Sequence, residues 1–417
     1  MAKQKFKTKF QKALTTPLTK KQIQDIIIVF IFIFATAFIS VFTAYLFANI
    51  EVQTRETRTT EISEELQEFI DLYYKLTEDH YFEIDKSALI NSAIRGMIEA
   101  IEDEHTSYMN SSENYSFQQR VRGQYQGIGI GLFNNEEEEI EISEVFPNTP
   151  AERAGVQIGD IILEIDGNDL TEEDTSFVVN YIRFIERDYV EMVFLRDNER
   201  ITKQIDIETV ILPSVNSEII IENDLRLGYL EISIFALNSY SQFLQELSVL
   251  ENEPIDGLII DLRYNTGGFL STAERIISTF LDDSHVIYRT EEKGEEKTFY
   301  SRGNETKEYP IVILGNHASA SASEIMIAAL QESYGATFVG TNTHGKGTVQ
   351  EIIDLPDEDA LRYTARIWLT PEGTWIDDVG ITPDYEVIQD PEYFITLERN
   401  DDTQFQKALE VLIDKLK

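Results

Sequence analysis

The chain has 417 residues, 42% of them hydrophobic, so it is long enough for two or three packed domains and is not globally disordered. A formal net charge of −40 argues against a nucleic-acid partner, because so acidic a body repels phosphate backbones. The absence of cysteine removes disulfides, a thiolate nucleophile and cysteine zinc ligands.

The charge is uneven along the chain. The first 21 residues carry seven lysines and no acidic residue, and every acidic residue except Asp25 lies beyond Ile50. Ile26 to Ile50 contains no charge and is dense in Ile, Phe and Val. As a helix it would reach roughly 37 Å, enough to cross a hydrocarbon core of about 30 Å with some tilt. The lysine-rich flank predicts a cytoplasmic segment 1–22, a retained single-pass membrane anchor over 23–50 and an extracytoplasmic remainder at the cell membrane. A cleaved signal peptide fits less well, since Ala44 and Ala48 are four apart and make no small-x-small site.

Residues 51–112 read as helical. Ile62, Leu66, Phe69, Ile70, Tyr73 and Leu76 recur at helical spacing, and Leu89 to Ile101 repeats the pattern. Such stripes bury themselves on the rest of the chain or on a second copy. From Arg122 the pattern changes to short strands and glycine turns: Gly127-Ile128-Gly129-Ile130, a hairpin tip at residues 134–139, Ile140 to Val145, Asn148-Thr-Pro-Ala-Glu-Arg-Ala-Gly155, Ile158 to Gly167, a helix near Phe177 to Ile185, and Val190 to Arg196. This order closely resembles a PDZ domain of the circularly permuted kind found in bacterial proteases, over about residues 115–207. The resemblance implies that Gly127, Ile128, Gly129 and Ile130 bind a substrate tail, with backbone amides receiving its carboxylate while the peptide adds to the sheet edge.

Beyond Pro213 strands and helices alternate. Strands are expected at Leu227–Ile232, Gly257–Leu262, Tyr309–Leu314 and Ala336–Gly340, with helices at Tyr240–Leu250, at Ser271–Leu281 and through Leu330. Repeated strand-turn-helix units predict an α/β core with a buried sheet. Two segments of it are built for chemistry. Ser321 stands where a buried strand turns into a helix, among small residues, and a helix start offers free N–H groups to an oxyanion. Serines before a helix are also ordinary caps. Lys346 sits between Gly345 and Gly347, and burial would lower its proton affinity enough to make it a base for a serine hydroxyl. Gln350 could orient the amine. Gly267 or Gly268, in the turn after Asp261, together with the Ala322 amide could form an oxyanion hole. His344 or His317 with Asp261 leaves a Ser-His-Asp hydrolase open as an alternative, although no Gly-x-Ser-x-Gly elbow surrounds Ser321.

Together these segments resemble the carboxyl-terminal processing proteases, Ser-Lys peptidases with a PDZ domain inserted before the catalytic core. The resemblance covers about residues 58–388 and rests on Asp261-Leu-Arg-x-Asn-x-Gly-Gly268, Ser319-Ala-Ser-Ala-Ser-Glu-Ile325, Gly345-Lys-Gly347 with Gln350, Thr370-Pro-x-Gly373 and Gly380-Ile-Thr-Pro-Asp384. It implies Ser321 as nucleophile, Lys346 as general base and Gln350 as its orienting residue. Thr266 departs from the proline usual in the family, and His317-Ala318 from its acidic-glycine pair. The fold then expected is a multidomain α+β and α/β protein: the transmembrane helix, the helical region 51–112, an inserted PDZ domain over 113–207, a ClpP/crotonase-like protease core over 208–390 and a helical tail over 391–417. The resemblance further implies protein substrates with accessible carboxyl termini, gating by the PDZ unit with Arg183 as a candidate contact, a homodimer, and no metal or organic cofactor. A catalytically inactive PDZ scaffold is the remaining alternative.

Overall fold

The computed structural model describes residues 63–135 and 137–417. The lysine-rich segment, the expected anchor over 23–50 and Ile62 lie outside the described residues. Among the described residues, no helix is long and apolar enough to cross a membrane.

The described residues fall into two units that divide between Ser92 and Ala93. Helix α1 (Glu64–Asp79) of the first unit begins at Ser63, whose hydroxyl accepts from Leu66 N–H. None of its residues is fully buried: Leu66 and Phe69 of its apolar stripe are exposed, and Ile70, Tyr73 and Leu76 are half-buried. Helix α2 (Lys86–Glu99) spans the boundary.

In the second unit, strand β1 (Ser107–Met109) precedes α3 (Ser111–Arg122), which starts in a reciprocal Asn110/Glu113 cap and ends at left-handed Gly123. The PDZ module follows: β2 (Gln124–Gly127), β3 (Ile130–Asn134), β4 (Ile140–Val145), α4 (Pro150–Ala154), β5 (Ile161–Ile165), β6 (Asn168–Asp169), α5 (Thr175–Phe184), β7 (Tyr189–Arg196), β8 (Glu199–Asp206) and β9 (Glu208–Ile211). Strands β3, β4, β5, β7 and β8 form one sheet, with β6 beside β5. Its apolar faces close on a separate core that includes Ile140, Ile142, Ile165, Val178, Met192 and Phe194. Antiparallel pairing of β2 with β9 brings both ends of the module together, so it is an insertion rather than an appended domain.

The core continues with β10 (Val215–Glu222), β11 (Leu225–Ile232), α6 (Ser239–Leu250), β12 (Gly257–Asp261), α7 (Leu270–Ile277), β13 (Val286–Glu292), β14 (Glu295–Tyr300), β15 (Ile311–Gly315), α8 (Ala322–Ala329), β16 (Thr337–Gly340), β17 (Thr348–Asp354), β18 (Ala360–Leu369), β19 (Tyr385–Glu386), α9 (Tyr393–Thr396) and α10 (Thr403–Lys415). Its main sheet runs β10-β11-β12-β15-β16-β19, parallel except for the β10–β11 hairpin. Strands β12 and β15 are buried on both faces, which is why they read as unbroken apolar runs. Leu258, Ile260, Ile311 and Ile313 pack toward α6, α7 and α8, while Ile259, Val312 and Leu314 pack toward α10. Residues 391–417, read from the sequence as a tail, thus supply the layer on the sheet's second face. The other core sheet, β1-β18-β13-β14 with β17 on β18, has no counterpart in the strands expected from the sequence.

Candidate active site

The site forms where β12 and β15 end. After β12 the chain enters a tight turn held by Asn265, which is fully buried. Its amide donates to Ile232 O (2.8 Å) and its side-chain oxygen accepts from Gly267 N–H (2.9 Å). Its carbonyl accepts from Ala320 N–H (3.1 Å) and from the Ser323 hydroxyl (2.8 Å). Ser319, also fully buried, donates to Leu262 O (2.8 Å). Two of the three serines therefore fasten the segment to the turn, and Ser321 is the one not so tied.

Ser321 has φ 55° and ψ −115°, a strained conformation for a residue with a side chain. The strain comes without flanking glycines, so the sequence gives no sign of it. The clamps at Ser319, Ala320 and Ser323 hold it, together with Glu324. That carboxylate is fully buried and accepts from Ser321 N–H (2.7 Å) and Lys346 N–H (3.0 Å) on one oxygen, and from the Thr343 hydroxyl (2.7 Å) and Gly345 N–H (2.6 Å) on the other. One buried side chain thus grips both candidate catalytic segments. Sequence reasoning gave Glu324 no role, although its place three residues after a serine at a helix start is a capping-box signal.

The lysine loop is pinned from further sides. His344 N–H donates to Ser319 O (3.0 Å), Asp378 N–H to Gly345 O (2.9 Å) and the Trp368 indole to Lys346 O (2.7 Å). Gly345 has φ 90°, and a Cβ there would lie 2.8 Å from Gly380 N, so only glycine fits. Burial, then the Arg362 guanidinium, push the Lys346 amine below the usual lysine range, against Asp103, Glu324 and Glu104. Lys346 and Ser321 side chains are partly buried and form no hydrogen bond with each other. The Gln350 amide donates to Thr348 (2.9 Å) and Thr364 (3.4 Å) rather than to the lysine.

At the turn, Gly267 has φ 103°, and a Cβ there would lie 3.0 Å from that of Ser321 and 3.1 Å from Ala322 N. Its own N–H is committed to Asn265, which corrects its place among the oxyanion donors. Gly268 N–H and Ala322 N–H carry no hydrogen-bond acceptor; at Ala322 the reason is its position in the first turn of α8. The Ser-His-Asp alternative is not assembled. Asp261 is occupied by Arg263 (2.6 Å) and the Tyr229 hydroxyl (2.8 Å), and neither the His317 nor the His344 ring makes a hydrogen bond. Arg263 in turn pairs with Asp402 (2.8 Å) at the start of α10.

In the PDZ module, Ile128 O accepts from Ala151 N–H and Gly129 O from Phe146 N–H, so the loop's carbonyls are turned into the module. Residues 127–130 line a cavity of about 260 Å³ with Tyr125, Val178, Val179 and Arg183. The Arg183 guanidinium lies 3.4 Å from the Tyr115 ring centroid and ties α5 to α3, so it is not a free surface charge.

A largely parallel α/β core with an inserted PDZ module and a serine in a strained strand-to-helix turn defines a PDZ-bearing hydrolase architecture. The profile of peptidase family S41 matches residues 226–387, that of a PDZ domain residues 141–196, and that of the activating protease CtpB N-terminal domain residues 35–113. The chain is 32% identical over 334 residues to the carboxy-terminal processing protease CtpB of Bacillus subtilis, covering 78% of this chain and 68% of that protein. It is 32% identical over 333 residues to a carboxy-terminal-processing protease of Bartonella bacilliformis, covering 78% and 75%. A putative S41 protease from Bacteroides fragilis shares the fold, with a TM-score of 0.51 at 17% identity over 77% of this chain and 90% of that one. The chain belongs to the carboxyl-terminal processing proteases of family S41, and is a serine-type endopeptidase.

Proposed function

We propose that the chain is a membrane-anchored endopeptidase that cuts protein substrates near their carboxyl ends through a Ser321–Lys346 dyad. The observation that carries this reading is the shared Glu324 oxygen, which holds the backbones of a strained serine and a partly desolvated lysine together. Ser321 Oγ attacks the scissile carbonyl carbon as Lys346 Nζ takes its proton. Gly268 and Ala322 N–H groups receive the oxyanion. Collapse breaks the C–N bond, the amine leaves with the proton from Lys346, and water releases the acyl group by the same route. Gln350 reaches the amine through a side-chain turn from its contacts with Thr348 and Thr364.

An unlinked hydroxyl and amine fit a resting enzyme that substrate completes. The groove at Gly127–Ile130 would take the substrate's terminal carboxylate, and Arg183, fixed on Tyr115, would pass its occupancy to α3. The uncharged run 26–50 behind seven lysines supports a single-pass anchor with the catalytic part outside the cell membrane. The exposed Leu66 and Phe69 on the apolar stripe of α1 support a homodimer. The test is proteolysis of a fluorogenic peptide and of casein. The reading expects cleavage by the wild type and none by Ser321→Ala, whereas an inactive scaffold leaves both uncut.

A further inference from the structure

One cluster beside the lysine has no part in the mechanism above. The loop between α2 and β1 places Asp103, Glu104, His105 and Thr106 in the site, more than 200 residues from Lys346 in sequence. Thr106 donates its hydroxyl to Asp103 (2.6 Å), and His105 N–H donates to the same carboxylate (2.9 Å). The Thr106 hydroxyl also accepts from Thr364 N–H (3.3 Å), fastening the loop to β18. Thr364 is the residue whose hydroxyl accepts from the Gln350 amide. Two residues earlier on β18, Arg362 has a buried Nε with no hydrogen-bond partner and no carboxylate in ion-pair contact.

We propose that Asp103 is a positioning residue for the catalytic lysine: its carboxylate offsets the unpaired charge of Arg362 at Lys346 and, through Thr364, sets the place of Gln350. This rests on the reading of Lys346 as the base. The charged and titratable groups facing Lys346 are Asp103, Glu104 and His105 from the loop, Arg362 from β18 and Glu324 from α8, with Asp377 facing His105. Burial pushes the Asp103 carboxyl up, but the Thr106 and Thr364 hydroxyls and His105 N–H outweigh it and keep the group below its usual range. It therefore stays negative throughout the pH range in which the lysine titrates. A fixed negative charge there favours the protonated amine, and Arg362 favours the neutral one. The balance leaves a base that gives up its proton more readily than a surface lysine yet still holds one after taking it from Ser321.

The test is the pH dependence of kcat/KM for a fluorogenic peptide, measured with the full chain. The limb that rises with pH reports deprotonation of Lys346 in the free enzyme. Asp103→Asn moves that limb to lower pH by about one unit, Arg362→Gln moves it to higher pH by a similar amount, and the double variant returns it toward the wild type. Thr364→Val keeps both charges and lowers kcat several-fold without moving the limb. Coincident limbs in Asp103→Asn and wild type, with only amplitude lost, overturn the charge role; an unchanged kcat in Thr364→Val overturns the link to Gln350. Full activity in Lys346→Ala overturns the underlying base assignment instead, so the two failures are distinguishable.

Discussion

At the residue scale, the site depends on a buried acceptor rather than on the reacting groups alone. Glu324 serves four donors from Ser321, Thr343, Gly345 and Lys346. Removing it leaves those donors buried without an acceptor and frees Ser321 from a conformation it would not hold unaided. Glu324→Ala is therefore expected to cost about 3 kcal/mol of stability in denaturant unfolding and to abolish proteolysis. Gly267→Ala places a Cβ 2.8 Å from Ala320 O at a φ of 103°, so it disturbs the serine segment directly. Proteolysis by that variant should fall at least a hundredfold in a peptide assay, a loss comparable to removing one oxyanion donor.

At the element scale, the last helix is part of the catalytic architecture. Asp402 at the start of α10 grips Arg263 through two hydrogen bonds of 2.8 Å, and Arg263 grips Asp261 at the end of β12. Asp402→Ala leaves a buried guanidinium short of a partner and is expected to cost about 3 to 5 kcal/mol, read as a lower denaturation midpoint. The groove of the PDZ module gives a second test. Val179 is exposed and lines it, so Val179→Asp sets a negative charge beside an apolar, carboxylate-ended tail. Peptide affinity measured by fluorescence anisotropy should fall about tenfold. Much of this layout was legible in the sequence because β12, β15 and β16 are short, largely apolar runs leading into glycine or small-residue turns. The serine and lysine segments stood out for the same reason. Strands β13, β14, β17 and β18 were not legible, since they are amphipathic and mixed with charge, and their pairing is set by partners as distant as β1. Glu324, Asp103 and Arg362 were hidden because their chemistry arises from contacts between segments far apart in the chain. The commitment of Gly267 N–H to Asn265 was equally invisible, because spacing does not tell which amide of a turn is already satisfied.

At the scale of the whole molecule, a PDZ insertion and a peptidase core share a connection through β2, β9 and α3. Outside this unit, the uncharged run 26–50 predicts that the full chain is recovered in the membrane fraction after alkaline carbonate extraction, and that a chain beginning at Glu51 is not. On the proposed mechanism Lys346, not a histidine, takes the proton of Ser321. Its most direct measurement is kcat/KM for one fluorogenic peptide with the wild type, Lys346→Ala and His344→Ala side by side. A loss of about 10⁴-fold in Lys346→Ala, with His344→Ala within a few fold of wild type, is the predicted result. Activity that survives Lys346→Ala but disappears in His344→Ala would contradict it.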